Sequence, residues 1–382
     1  MLRKFIDQIK PNFQKGGKLH FLHSTFDAFE TFLFVPNKVT TTGSHIRDSI
    51  DSKRAISVVV MALVPALLFG IWNVGYQHFL SLGETADFWQ IIFYGLWKVL
   101  PIIVVSYVTG LGIEFAVAQM RGHEVNEGFL VTGMLIPLLC PPDIPLWMVA
   151  VATAFAVIIG KEVFGGTGMN IWNPALVARA FLFFAYPSQM SGDKVWISDK
   201  ADAYSGATPL AELGAGNVDL VSVQDMFIGL IPGSIGETSK IAILLGAVIM
   251  LWAGVASFRI MLSVVLGGLT MGWILNLVGG ENVFMHIPAY QHLLMGGFMF
   301  GAIFMATDPV TASQTGTGKW IYGFLIGVIA VVIRVFNPAY PEGMMLSILF
   351  MNTFAPLIDH YVINANKKRR LKRAEVAAQQ MI

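Results

Sequence analysis

Charged side chains within long apolar stretches are the first candidates for function in this sequence. Glu114, Asp308, Asp359 and Arg179 lie in or beside such stretches. A charge in hydrocarbon costs free energy, so a residue of this kind is by default a functional candidate. Carboxylate oxygens are hard ligands that suit a small alkali cation. The alternative for each residue is a structural ion pair, for instance between Arg179 and a carboxylate, and Asp359 also suits the membrane interface beside the basic tail.

A run of small residues presents a hydroxyl group in the longest loop. The run is Tyr204-Ser205-Gly206-Ala207-Thr208-Pro209. Its small side chains leave the Thr208 hydroxyl accessible, and the proline that follows keeps the threonine extended. Taken alone, such a run is typical of a turn.

A pair of asparagines marks the start of a helix. In Asn170-Ile-Trp-Asn173-Pro174, Asn173 is suited to be the N-cap, and Pro174 is suited to the first helical position. Taken alone, this run predicts local structure rather than a ligand site.

Several kinds of chemistry are excluded or disfavoured. The sequence has no Walker loop, no GxGxxG run after a strand and no His/Cys metal cluster, so we do not expect nucleotide hydrolysis. The single cysteine, Cys140, excludes a disulfide within the chain and a cysteine-ligated iron–sulfur cluster.

The composition places these residues in a membrane protein. Of the 382 residues, 55% are hydrophobic and only 13% are charged, whereas a soluble domain carries about a quarter charged residues. The 17 prolines and 38 glycines are tolerated in transmembrane helices, where neighbouring helices satisfy the freed backbone groups. A soluble enzyme, a disordered chain and a nucleic-acid-binding protein are therefore excluded, and the expected surroundings are lipid.

Apolar runs long enough to cross a bilayer predict an all-α polytopic protein with about ten transmembrane helices. The runs lie near 55–76, 89–116, 128–142, 145–164, 173–187, 240–256, 259–279, 290–306, 320–336 and 344–362. Prolines interrupt them at 136–142 and 306–311. We expect broken helices at these two places, inside the bundle or along a water-filled cavity.

The distribution of lysine and arginine predicts the orientation. The basic tail 363–382 is expected in the cytoplasm, and an even number of spans then puts the N-terminal segment 1–54 there too. The loop 188–239 is poor in basic residues and is expected outside. Arg334, near an outer end, is the main exception. Phe26, Phe29 and Leu33 recur at helical spacing and predict a helix that lies on the membrane or forms a flap over the cytoplasmic mouth.

The spans divide into two similar halves, 55–187 and 240–362. Each half contains a proline-interrupted helix followed by a span, and about five spans per half predict inverted repeats related by an axis in the membrane plane. Corresponding broken helices point to a buried site near the midplane. The alternative is a coincidental likeness between apolar sequences.

Several stretches together are specific for a known family. They are 161–187, Tyr204–Thr208, Ile231–Glu237, Met305–Val310 and the run that starts at Asn337. With them, essentially the whole chain strongly resembles the B subunit of the sodium-translocating NADH:quinone oxidoreductase. The D subunit of the Rnf ferredoxin:NAD oxidoreductase shares the membrane core, but the long N-terminal segment favours the B subunit of the sodium-translocating enzyme. The core also resembles the urea and ammonium transporter fold.

The resemblance implies two flavins. Thr208, preceded by Ser205, Gly206 and Ala207, is expected to carry FMN through a phosphoester bond, attached by a separate flavin transferase outside the cytoplasmic membrane. Non-covalent riboflavin is expected near Asn170 and Asn173, whose amides suit the carbonyl and imide edge of a flavin ring.

The resemblance also implies a quinone site and sodium ligands. Members of the family bind quinone near a pair of glycines in the second span. In this sequence the pair corresponds to Gly110 and Leu111, so leucine replaces the second glycine, and Gly112 is the next residue. The acidic positions linked to sodium match Asp27, Glu114, Asp308 and Asp359.

The expected protein is then one member of a six-subunit complex in the bacterial inner membrane, with the A, C, D, E and F subunits as partners. Electrons would pass from FMN on a partner to FMN on Thr208, to riboflavin and then to a quinone such as ubiquinone, coupled to Na+ export. NADH would be oxidised on a different subunit. The alternatives are a D-type subunit of an Rnf complex, a urea- or ammonium-type channel for a small solute, and an assembly scaffold without redox chemistry.

Overall fold

The computed structural model describes residues 2–14, 16–34, 40–46, 52–122, 128–201, 204–217, 221–337 and 342–379, and these contain helices but no β-strand. The helices of the first half and its N-terminal segment are α1 (Leu2–Ile9), α2 (His23–Leu33), α3 (Ser52–Leu82), α4 (Phe88–Arg121), α5 (Phe129–Leu139), α6 (Leu146–Gly160), α7 (Pro174–Ala185) and α8 (Pro187–Met190). The remaining ones are α9 (Pro209–Gly214), α10 (Val223–Ile228), α11 (Lys240–Trp252), α12 (Phe258–Val278), α13 (Gln291–Leu294), α14 (Phe298–Phe300), α15 (Gly316–Phe336) and α16 (Met344–Gln379).

Six helical stretches among the described residues are long and apolar enough to cross a membrane: Lys53–Leu82, Phe88–Arg121, Leu146–Phe164, Phe258–Val278, Gly316–Phe336 and Met344–Val376. The all-helical, multi-pass prediction is thereby confirmed. The predicted spans at 128–142, 173–187 and 240–256 form the shorter apolar helices α5, α7 and α11. At 1.5 Å per residue these helices cover only about half of the hydrocarbon layer. Ten spans therefore stay a prediction.

The first predicted break is present at the end of α5. This helix contains Pro137 and ends at Leu139, and Cys140 is extended. The backbone N–H of Gly236 donates to the carbonyl of Leu138 at 2.8 Å, and that of Ile235 donates to the carbonyl of Cys140 at 3.2 Å. Part of the loop 229–239 thus satisfies carbonyls that the end of the helix leaves open.

The second predicted break follows a short, irregular helix. Gly301–Met305 forms a π-helical turn after α14, and regular helix resumes only at Gly316. The run 290–306 is interrupted further at Gly296, whose φ of 60° is a conformation that favours glycine. A single straight span over 290–306, as the sequence predicted, is therefore not what the described residues form.

Some helix contacts recur in the two halves, although the contact of α3 with α4 has no comparable counterpart between α11 and α12. In the first half α4 packs against α6, and α6 against α7; in the second, α12 packs against α15, and α15 against α16. α3 and α11, the first helices of the halves, pack against each other. The repeat and the inverted relation between the halves both stay predictions.

Two further parts of the fold are the N-terminal helix α2 and the buried Arg334. α2 packs against α4, with the rings of Phe29 and Phe115 6.1 Å apart. Both predictions for α2, a helix on the membrane and a flap over the cytoplasmic mouth, agree with this contact. Arg334 is buried and donates to the carbonyls of His292 at 2.5 Å and Met295 at 3.2 Å. It holds the broken second-half helix, which explains why a basic residue is found at that position.

Candidate functional site

Thr208 is the N-cap of α9. Its hydroxyl oxygen accepts a hydrogen bond from the backbone N–H of Ala211 at 3.2 Å, and Pro209 is the first helical residue. The threonine is extended and half-buried. Because the hydroxyl accepts in this cap, its own hydrogen is not needed there, so the oxygen remains open to modification.

Asp193 and Lys200 hold the segment before Thr208 in place. The Ser205 hydroxyl and the Gly206 N–H donate to the Asp193 carboxylate at 3.0 and 2.6 Å. Lys200 pairs with the same carboxylate at 2.5 Å and donates to the carbonyl of Tyr204 at 2.8 Å. A Cβ at Gly206 would lie 2.5 Å from the backbone oxygen of Asp193, so the position requires glycine. We call Asp193 and Lys200 the loop clamp.

Thr208 lines a pocket of about 700 Å³ of empty space, part of it open to solvent. The walls are mainly apolar, and they include Phe183, Met190, Trp196, Leu210, Ile231 and Pro232. The floor is polar and is formed by Arg179, Glu237, Thr238, Lys240 and Glu342. We call this cavity the Thr208 pocket. It joins residues from the loop 188–239, α7, α11 and the segment before α16.

Arg179 is the centre of the floor. Its guanidinium pairs with Glu237 at 2.9 Å and with Glu342 at 2.6 Å, and it also donates to the carbonyl of Leu139, the last residue of α5, at 2.8 Å. The structural ion pair considered for Arg179 is therefore present. Sequence reasoning missed Glu237 and Glu342 because both lie outside the apolar runs, although the stretches that carry the resemblance include them.

A second pocket, of about 1120 Å³ of empty space that is partly open to solvent, lies between the start of α3, α5, α7 and the second helix break. We call it the Asn173 pocket. Asn170, Asn173, Lys161, Thr307 and Asp308 line it, together with apolar side chains of α3, α5 and α11. The structure thus brings both predicted riboflavin-binding asparagines to one cavity with Asp308.

Asn173 links the start of α7 to the second break. Its side-chain oxygen accepts from the N–H of Ala175 at 3.0 Å, which confirms it as an N-cap. Its amide nitrogen donates to Asp308 at 3.3 Å. The other donors to the Asp308 carboxylate are the N–H of Val310 and the hydroxyl of Thr311, each at 3.0 Å. Asn170 donates to the carbonyl of Trp172 at 3.0 Å.

The other predicted sodium carboxylates lie apart from Asp308. Glu114 forms a buried ion pair with Lys161, whose side chain also reaches the Asn173 pocket. Asp359 accepts hydrogen bonds from Ser313, Gln314 and Thr315 just before α15. Asp27 is half-buried on α2. Among the described residues, no group of three His, Cys, Asp or Glu side chains is placed to hold a metal ion.

The predicted quinone residues face different ways on α4. The ring of Phe129 covers Gly110, so a side chain at Gly110 would collide with it. Leu111 is half-buried. Gly112 is exposed, with no described atom within 4 Å of where its Cβ would be. Neighbouring positions on a helix do not share a face, so Gly112 does not restore the space that a glycine at 111 would leave.

The two pockets lie at different levels of the bundle. Ile56, near the start of α3, lines the Asn173 pocket. Asn73, on the same helix, donates to the carbonyl of Ile231 at 3.0 Å, and Ile231 lines the Thr208 pocket. From Ile56 to Asn73 the helix rises roughly 25 Å at 1.5 Å per residue. The parts of the two pockets that border α3 therefore lie at different levels, whereas along α7 the pockets come close, because Pro174 lines one and Arg179 lines the other.

Comparison with known proteins identifies similar chains. A family model described as the NQR2, RnfD, RnfE family matches residues 39–368. A protein of Stutzerimonas stutzeri, named as the B subunit of a Na(+)-translocating NADH-quinone reductase, is 49% identical, and the match covers 97% of this chain and 99% of that protein. Proteins of the same name from Ectopseudomonas mendocina and Azotobacter vinelandii are each 48% identical, over 97% and 98% of this chain and 99% of each protein.

Proposed function

The chain belongs to the NQR2, RnfD, RnfE family, and on that premise we propose that it is the membrane-embedded B subunit of a Na+-translocating NADH:quinone oxidoreductase. Relatives about half identical over nearly the whole chain carry that name. The protein passes electrons towards quinone and couples this transfer to Na+ export. Its partners are the A, C, D, E and F subunits of a six-subunit complex in a bacterial inner membrane. Both termini are cytoplasmic, and the loop 188–239 faces the other side.

The single observation that carries this proposal is the Thr208 pocket. Thr208 offers a hydroxyl at the edge of a cavity with apolar walls and a polar floor. FMN has a phosphate for an ester bond, a flat ring with apolar faces, and a polar edge, so each part of the pocket suits one part of this cofactor. We propose that Thr208 carries FMN through a phosphoester bond, directly after the segment Ser205-Gly206-Ala207. The flavin supplies the electron-transfer chemistry, and the protein supplies position and electrostatics.

The Asn173 pocket suits the second, non-covalent flavin. Its apolar lining can cover a flat ring, and the asparagine amides provide both donors and acceptors. Asn173 already uses its oxygen for α7 and its nitrogen for Asp308. We therefore propose that Asn170 makes the more adaptable contact with riboflavin, and that Asn173 mainly shapes the pocket.

The proposed quinone site lies on α4 around Gly110, Leu111 and Gly112, near the contact of α2 with Phe115. The exposed Gly112 leaves a gap on the surface of this helix. Leu111 narrows the site relative to a family glycine. We propose that α2 and α4 together bind the quinone ring.

The proposed sodium path uses Asp27, Glu114, Asp308 and Asp359. Asp308 fits best, because it lines both the Asn173 pocket and a neighbouring cavity that opens beside Arg259. Glu114 is already paired with Lys161, so it acts on a cation only if that pair rearranges. Asp359 is engaged by donors before α15 and supports the path indirectly.

The test of covalent attachment separates the hydroxyl from its role as a helix cap. Asparagine at Thr208 keeps the capping function but has no hydroxyl for an ester. In cells that contain the flavin transferase, wild-type protein is expected to give a fluorescent band on a denaturing gel, and Thr208→Asn is expected to give none. Ser222→Ala is the matched control, because Ser222 caps α10 in the same loop but does not line the pocket.

The rival functions predict other results. A dark wild-type band would contradict the redox proposal and favour a solute channel or a scaffold. A member of an Rnf complex would also carry a band, so it is distinguished by the partners that copurify with it. The match to a B subunit of a Na(+)-translocating NADH-quinone reductase over 97% of the chain favours the NADH:quinone complex.

A further inference from the structure

The floor of the Thr208 pocket contains a hydroxyl without a partner. Thr238 is 3% exposed, and its side-chain oxygen has no hydrogen-bond partner among the described residues. Most buried hydroxyls in folded proteins are hydrogen-bonded, because an unpaired one keeps its desolvation cost. Since Thr238 lines the pocket, a ligand there can supply the missing partner.

Lys240 provides a second ligand-directed group on the floor. It is 1% exposed, and its ammonium donates to the carbonyls of Glu237 at 2.8 Å and Thr238 at 3.1 Å. An ammonium has three N–H donors. Two of them are used in these contacts, which leaves one for a ligand in the pocket.

The floor and the buried Arg334 behind it together have an excess of positive charge. Arg179 and Lys240 belong to it directly, and behind them Arg334 donates to the carbonyl of Glu342 at 3.4 Å. The carboxylates that oppose these cations are Glu237 and Glu342. With all five groups ionised, one positive charge is left over in a region of low dielectric, where it acts strongly on a neighbouring anion.

We propose that Thr238 and Lys240 bind the polar edge of the aromatic ring held at Thr208, and that the positive charge of Lys240 favours the more negatively charged, reduced form of that ring. This inference rests on the proposed function of Thr208 and adds to it the residues that set the reduction potential. The apolar walls, including Trp196 and Phe183, cover the faces of the ring. Thr238 and Lys240 contact the ring directly, so they fix the position of its edge and the electrostatics around it.

The test is a redox titration of the purified six-subunit complex. Dithionite is the reductant, so each electron that the ring gains is lost by dithionite. The absorbance change of the Thr208→Asn complex is subtracted from that of the wild-type complex. The difference is the signal of the flavin on Thr208, separated from the signals of the other cofactors. Lys240→Gln is expected to lower the ratio of reduced to oxidised ring at fixed potential about tenfold, which is about 59 mV for a one-electron couple. Thr238→Val is expected to shift the visible absorption band.

Matched controls separate these effects from general damage. Lys98→Gln removes a cation in an ion pair with Asp143 and Asp199, which do not line the pocket. Thr153→Val removes another buried hydroxyl without a described partner, also outside the pocket. Both controls are expected to leave the potential and the spectrum unchanged.

The outcomes distinguish this inference from the proposed function. A wild-type protein without a covalent flavin band overturns the function of Thr208 itself. A normal band, with unchanged potential in Lys240→Gln and an unchanged spectrum in Thr238→Val, overturns only the role of the floor. Valine has the same shape as threonine, so Thr238→Val is expected to fold. This variant therefore still tests the inference if Lys240→Gln does not fold.

Discussion

At the scale of single residues, the loop clamp decides where the Thr208 hydroxyl lies. The Asp193 carboxylate accepts hydrogen bonds from Ser205 and Gly206, three and two residues before the threonine. The ion pair with Lys200 is half exposed and contributes little by itself. The hydrogen bonds to the loop therefore account for most of the effect of Asp193.

We predict that Asp193→Asn lowers the yield of covalent flavin. Asparagine removes the negative charge of the acceptor, which destabilises the closed conformation of the loop by about 1 kcal/mol. This raises the population of the open conformation about fivefold. The yield is measured as band fluorescence per protein at limiting transferase. Asp199→Asn is the control, since Asp199 pairs with Lys98 and not with this segment. Equal yields in the two variants would contradict the prediction.

The clamp is also expected to be insensitive to pH in the physiological range. The hydrogen bond from Lys200 holds the pKa of Asp193 below its usual value. A carboxyl whose pKa is lowered by folding contributes its stability above the unfolded pKa and loses it only as the pH falls through the folded one. Flavin yield should therefore not reflect titration of Asp193 between about pH 5 and 8.

The structural role of a single residue was predictable from the sequence where that role depends on its immediate neighbours in the chain. The N-cap function of Asn173 follows from the proline after it, and the structure confirms it. The partners of Arg179, and the bonds of Asp193 to Ser205 and Gly206, were not predictable, because they depend on how the chain folds back on itself. Glu237 and Glu342 lie outside the apolar runs, so the search for charges within those runs did not find these two carboxylates on the pocket floor.

At the scale of elements, the helix breaks were predictable and the helix lengths were not. Cys140 is followed by Pro141 and Pro142, and a residue before proline is disfavoured in a helix, which makes the break after α5 a local property. One proline alone is not sufficient, since Pro101 lies inside the continuous helix α4. Hydropathy, however, does not separate a full span from a half helix followed by an apolar loop. The runs at 128–142 and 173–187 therefore predicted spans, whereas α5 and α7 are short.

The start of α15 gives a prediction at this scale. The Asp359 carboxylate on α16 accepts from the backbone N–H groups of Gln314 at 2.7 Å and Thr315 at 3.0 Å. An anion at the N-terminus of a helix is favourable. Asp359→Asn is expected to lower the free energy of unfolding by about 1–3 kcal/mol, measured by thermal unfolding in detergent.

The same experiment separates a structural role from direct sodium binding. An ion that binds only the folded state stabilises it more as its concentration rises above the dissociation constant. We expect any stabilisation by added NaCl over KCl to persist in Asp359→Asn. Its selective loss would make Asp359 a sodium ligand instead. Glu375→Gln, an exposed change on the same helix, controls for altered surface charge.

At the scale of the whole molecule, one charged cluster joins the parts of the chain that form the Thr208 pocket. Arg179 comes from the first half, Glu237 from the loop between the halves, and Glu342 from the second half. The guanidinium also bonds the carbonyl of Leu139 at the end of α5. The sequence predicted two halves and a site between them, but it did not predict that an arginine would connect them.

We predict that Arg179→Gln destabilises the protein strongly, because it removes the guanidinium that pairs with both the Glu237 and the Glu342 carboxylates. Breaking a buried ion pair by removing one partner costs about 3–5 kcal/mol, whereas replacing all of its charges is often nearly neutral. The triple change Arg179→Gln, Glu237→Gln and Glu342→Gln is therefore expected to recover part of the loss, because it removes both carboxylates together with Arg179 but keeps Lys240 and Arg334. Arg121→Gln is the control, since Arg121 is 44% exposed in its pair with Glu162 and should cost less than about 1 kcal/mol. Thermal unfolding in one detergent is measured for six proteins: the wild type, Arg121→Gln, the triple variant, and its three single changes Arg179→Gln, Glu237→Gln and Glu342→Gln. If the triple variant were as unstable as the sum of its single changes, the cluster would not be the link between the halves.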